Sequence, residues 1–138
     1  MARVEAEVHA KRDRKQPVVR RRERLVDACR RAVKEFVQET GWKLDERDMS
    51  SVMGRRPDRW NSAIEFYVFP EGGGGVFVAI QERIQDWFFA KRTELRVQVR
   101  LAPTGRRKPM SWDLTEAGFT EEKLQKAVSL AWRACGWL

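Results

Sequence analysis

The stretch Glu94–Leu101 alternates without a break. Leu95, Val97, Val99 and Leu101 are apolar, while Glu94, Arg96, Gln98 and Arg100 are polar or charged. A period of two sends successive side chains to opposite faces of a strand, so this segment requires a sheet with one face buried and the other wet. Antiparallel sheets commonly have that character; parallel sheets are usually buried on both faces. Ser62–Phe69 and Val76–Arg83 also read as strands, joined through Pro70, Glu71 and four consecutive glycines. That link suits an antiparallel hairpin. Its glycines lack the spacing and the lysine of a phosphate-cradling loop.

The buried face needs an apolar cover, and the chain supplies one at each end. Leu25, Val26, Cys29, Ala32, Val33, Phe36 and Val37 recur at helical spacing and predict a helix from Val18 to about Gln38, stopped by Gly41. Its outer face carries Arg20, Arg24, Arg31 and Lys34, with Asp27–Arg31 and Arg31–Glu35 spaced as i,i+4 ion pairs. A second helix is expected after Thr120, an N-cap residue followed by Glu121 and Glu122 at the positive end of the helix dipole. Phe119 and Leu124 are placed as a hydrophobic staple, and Leu124, Ala127, Val128, Ala131 and Cys135 form the buried stripe. The expected fold class is α+β: a three-stranded antiparallel sheet with two helices on one face, in the order α-β-β-β-α. Residues 42–61 read as a long connection. Ile84, Trp87 and Phe88 fit either a short helical turn or a bulged extension of the strand before them.

The length of 138 residues predicts one domain over 18–138, preceded by a basic flexible arm, residues 1–17. No window is apolar enough to span a bilayer, and the first residues lack the apolar core of a secretory signal. Glu5, Glu7 and Asp13 argue against a mitochondrial presequence, so a cytoplasmic location is expected. Cys29 and Cys135 each fall on a helix's apolar face and read as buried thiols. With one histidine, His9, in the arm and no CxxC, neither a metal site, a cofactor nor a catalytic triad is expected. Asp45, Glu46 and Asp48 read as a solvated acidic cluster.

The chain carries two partial resemblances. Pro57-Asp58 before a hairpin, with Val76–Arg83 as the following apolar strand, resembles the PD-(D/E)xK nucleases over about 27 residues. Ala79 stands where that family places a carboxylate and Gln81 where it places its lysine. A magnesium site there lacks a ligand and the attacking water lacks a helper, so no nuclease activity is expected. The element order also resembles that of double-stranded RNA-binding domains. Glu121 and Glu122 stand where those domains gather lysines, so neither family is adopted.

Charge is the strongest functional signal. Residues 1–34 hold 12 Lys/Arg against 5 Asp/Glu, while the remaining 104 hold 16 against 15. Such a gradient points to an acidic partner, with nucleic acid foremost. The candidate phosphate contacts are Lys11, Arg12, Arg14, Lys15, Arg20, Arg21, Arg22, Arg24 and Arg31, the loop pair Arg55 and Arg56 with Arg59 nearby, and Arg106, Arg107 and Lys108. Arg96 and Arg100 join Tyr67, Phe69 and Phe77 on the sheet face turned from the helices, where the rings suit either base stacking or a partner surface. The expectation is a non-enzymatic nucleic-acid-binding protein. The alternative is a protein-interaction module, an adaptor, inhibitor or assembly subunit that uses the aromatic sheet face on another protein or a second copy. A membrane partner is not expected, since residues 1–17 carry no apolar anchor.

Overall fold

A computed structural model describes residues 2–49, 58–71, 74–87, 90–101 and 110–136, with side chains for 18–49, 58–71, 74–85, 92–101 and 110–134 among them. The architecture is α+β, with a helix at each end of the described chain and an antiparallel sheet between. The elements are α1 (Ala2–Thr40), β1 (Lys43–Asp48), β2 (Asn61–Phe69), β3 (Val76–Trp87), β4 (Ala90–Leu101), β5 (Ser111–Thr115) and α2 (Glu121–Gly136). The sheet has five strands rather than the expected three, in the order β1-β2-β3-β4-β5, so the element order is α-β-β-β-β-β-α.

The two additional strands lie at the edges. β1 occupies part of what reads in sequence as a connection, and β5 follows the segment that carries Arg106–Lys108 in the sequence. Each is fixed by a neighbour's backbone: Leu44 lies opposite Val68, and Leu114 opposite Val97. Charge along β1 suits an edge strand, because it discourages further pairing. β3 and β4 are also longer than expected. They pair continuously from Val76 opposite Leu101 to Trp87 opposite Ala90, so Ile84 extends the strand instead of starting a helical turn. The register of β2 against β3 shifts between Ser62 and Ile64.

Both helices cover one sheet face. Leu25, Val26, Cys29, Ala32, Val33 and Phe36 of α1 and Leu124, Ala127, Val128 and Ala131 of α2 pack on Phe66, Val68, Val76, Val78, Ile80, Leu95, Val97, Val99 and Leu101. The predicted alternation of β4 is present: its four apolar residues are buried under the helices. α1 ends as its sequence indicates, with Gly41 at φ +72° donating its N–H to the Val37 carbonyl. Thr120 Oγ1 accepts the Lys123 N–H at 3.1 Å and caps α2. The helices run parallel. Arg31 pairs with Glu121, and Gln125 Nε2 donates to Glu35 Oε2 at 2.9 Å, so successive turns match along both. α1 also takes in the basic segment before Val18.

Candidate nucleic-acid interface

Several of the candidate cations are already neutralised by the protein's own carboxylates. On α1, Arg21 forks onto Glu116, Nε to Oε1 at 2.5 Å and Nη2 to Oε2 at 2.6 Å, and its Nη2 also donates to the Thr93 carbonyl. The Glu116 hydrogen bonds raise the Arg21 pKa from its ordinary value. Arg22 Nη2 lies 2.5 Å from Glu82 Oε2. Arg31 pairs with Glu121, so the local pairs expected with Asp27 and Glu35 give way to a contact between helices. Arg30, not singled out in the sequence, bonds Glu46 on β1 at 2.6 Å. Arg20 and Arg24 are exposed, and Arg20 also has an interaction within the protein. Lys11, Arg12, Arg14 and Lys15 belong to α1, but their side chains, like Arg55, Arg56, Arg106, Arg107 and Lys108, lie outside what is described.

The sheet face turned from the helices holds the expected aromatic residues together. Tyr67 stacks on Phe77 with ring centroids 4.3 Å apart and on Phe69 at 4.8 Å. Arg100 lies over the Phe77 ring at 4.8 Å, and its Nη2 reaches Glu65 at 3.2 Å. Arg96 Nε donates to Gln81 Oε1 at 2.7 Å, and its Nη1 lies 3.7 Å from Asp113. Burial is the largest influence on Arg96 and lowers its pKa, followed by the opposing effect of Asp113. Both sheet arginines therefore sit within polar networks instead of projecting as free cations.

A tryptophan that sequence reasoning left unassigned organises one end of this face. Arg96 lies 4.2 Å and Arg83 4.8 Å from the Trp60 ring centre. Trp60 precedes β2, where the Asp58 N–H donates to the Ile84 carbonyl and Asp58 takes φ 61°. Beside it opens a cleft of about 700 Å³, lined by Trp60, Arg92, Arg96, Arg21, Asp113 and Glu116 among others. β5 ends at Thr115, opposite Arg96, while β4 starts earlier, at Ala90. That difference in strand length leaves space for the cleft. The alternation of β4 gave the face of Arg96 correctly, but nothing local in the sequence indicated its contact with Trp60.

Counted along the sequence, the surplus charge is confined to short stretches. Residues 1–20 hold six cations and three acids, 55–59 three and one, and 106–108 three and none; the rest of the chain holds 16 of each. The first stretch runs into Arg21 and Arg22, whose partners Glu116, Thr93 and Glu82 lie at the Trp60 end of the sheet. The second runs into Trp60 itself. The third joins Leu101 to Met110 at the opposite end, where Leu101 faces Val76.

Among the described residues no three His, Cys, Asp or Glu side chains are grouped to hold a metal, and no helix is long and apolar enough to cross a membrane. No protein-family model, curated protein or solved structure matches this chain.

Proposed function

We propose that this protein binds nucleic acid without catalysing a reaction on it, using the Trp60 end of the sheet. The observation that carries the proposal is convergence. Two of the three basic stretches lead to the end where the Trp60 cleft opens, and Arg92 on its wall is exposed. A positive approach beside an aromatic ring is the arrangement that single-stranded nucleic acid exploits, phosphate by phosphate and base by base. Lys11, Arg12, Arg14, Lys15 and Arg24 are the proposed phosphate contacts on α1, with Arg92 on the cleft wall, and with Arg55 and Arg56, which precede Trp60 in sequence, as further candidates. Arg21, Arg22 and Arg31, already paired, shape the protein and contribute little free charge.

The test is anisotropy of labelled single-stranded DNA and RNA at 50 and 200 mM salt. Neutralising roughly six phosphates gives a log–log salt slope near −4. Absence of binding at the lower salt, or binding indifferent to salt, overturns the proposal.

A second reading rests on the Tyr67–Phe69–Phe77 stack, which lies on the sheet face opposite the helices. In that reading the face docks on a protein partner or on a second copy. Light scattering after size exclusion separates the two: a stable dimer indifferent to nucleic acid favours docking.

A further inference from the structure

The end of the molecule away from Trp60 carries a second pocket, walled by aromatic rings. It has a volume of about 370 Å³ and is lined by Phe36, Glu39, Thr40, Trp42, Trp132 and Arg133, among others. Phe36 is buried and forms its floor. The two indoles stand nearly perpendicular to it, Trp42 at 5.6 Å and 87° and Trp132 at 6.3 Å and 80° between ring centres and planes. Trp132 remains 40% exposed, an apolar area left in water on a helix whose other face already packs into the core.

Two electrostatic features act on this pocket. α1 and α2 are parallel, so the negative ends of both dipoles lie on the same side of the molecule. The last turn of α1 has no basic residue to offset its end, and Glu39 stands there instead. Glu35 is one turn earlier, in the adjoining groove between the helices. Arg133, in the last turn of α2, is the opposing charge on the pocket wall.

We infer that Phe36, Trp42 and Trp132, with Glu39, form an aromatic cage for an alkylated ammonium group. Ring faces attract a weakly hydrated cation that carries its own apolar surface, and the pairing of Trp walls with a carboxylate distinguishes this cage from a groove that only sheds water. The inference does not depend on nucleic-acid binding, because it concerns other residues at the other end of the sheet.

The experiment follows the indole N–H signals of Trp42 and Trp132 by NMR on the full chain. Probes are choline chloride, its uncharged isostere 3,3-dimethylbutan-1-ol, and a short peptide bearing trimethyllysine. Saturable binding of choline that moves both indole signals, at least tenfold tighter than the alcohol, is expected. Glu39→Gln should weaken choline about fivefold, Arg133→Gln should strengthen it, and Trp132→Ala should abolish it. All three residues are exposed, so the core remains intact. A trimethyllysine peptide that binds far tighter than choline assigns the group to a protein partner, whereas equal affinity assigns it to a free small cation. Equal binding of choline and the alcohol, or no saturable shift with any probe, overturns the cage.

Discussion

Arg22 on α1 and Glu82 on β3 meet at 2.5 Å, and the Glu82 side chain is only 4% exposed against 27% for Arg22. The two partners are therefore not equivalent. Removing the arginine takes the opposite charge from a nearly buried carboxylate, whereas removing the acid leaves an arginine that is partly in water. We expect Arg22→Ala to cost about 3 kcal/mol and Glu82→Gln about 1 kcal/mol, read from urea denaturation midpoints at pH 7. Equal losses would show that the pair does not behave as a buried ion pair.

Cys29 is fully buried, and burial pushes its thiol up to about 12 from an ordinary value of 9.0. The folded protein holds the proton more tightly than the unfolded chain. This contribution to stability is intact below pH 9 and is lost as pH rises from about 9 to about 12, by about 1.4 kcal/mol per unit. In a Cys135→Ser background, a thiol reagent at pH 8 should leave Cys29 unlabelled until urea unfolds the protein. Rapid labelling of folded protein would contradict this burial.

Two glycines with positive φ should respond differently to the same substitution. At Gly75, φ is +145°, and an added Cβ would lie 2.5 Å from the Val68 carbonyl oxygen, a backbone atom held within the β2–β3 hairpin. At Gly41, φ is +72° with open space around it. Gly41→Ala should cost about 1 kcal/mol, the backbone term alone, and Gly75→Ala at least about 2 kcal/mol more. Thermal melts of the two variants provide the comparison.

The proposed interface predicts unequal roles for the basic stretches. Changing Lys11, Arg12, Arg14 and Lys15 together to Gln should weaken single-stranded DNA binding at least tenfold and flatten the salt slope by about 3. The same change at Arg106, Arg107 and Lys108 should alter affinity by no more than about twofold, since the flanking residues Leu101 and Met110 lie at the far end of the sheet. Arg92→Gln, on the exposed wall of the cleft, should reduce affinity without a change in melting temperature. The reverse ranking, measured by anisotropy at one salt concentration, would move the interface away from Trp60.

The parts of this fold visible in sequence are those encoded by periodicity. The helix stripes beginning at Leu25 and Leu124 and the alternation of β4 each repeat over several turns or residues, and their described side chains are found where expected, Cys135 lying outside them. β1 and β5 were not visible for the opposite reason. β1 contains a single apolar residue, Leu44, among charges, and β5 offers only Trp112 and Leu114. Backbone pairing with distant strands, not local pattern, makes them strands. Ile84 shows the same limit, because three apolar residues at helical spacing are too few to outweigh continuous pairing with β4. In the candidate site, the alternation of β4 set the face of Arg96 and Arg100. The partners Trp60, Glu65, Glu82 and Glu116 are remote in sequence, and they decide which arginines remain available.

Because α1 and α2 run parallel, their fields add where those of an antiparallel pair would cancel. The basic stretch before Arg21 enlarges the positive pole, and Glu35 and Glu39 enlarge the negative one. Under the proposed function, this asymmetry favours one orientation on a long anionic strand, with the Trp42 and Trp132 pole facing outward. Occupying the first ligand would then leave the second site accessible, and a row of such molecules would present a repeated series of identical receptors along the strand.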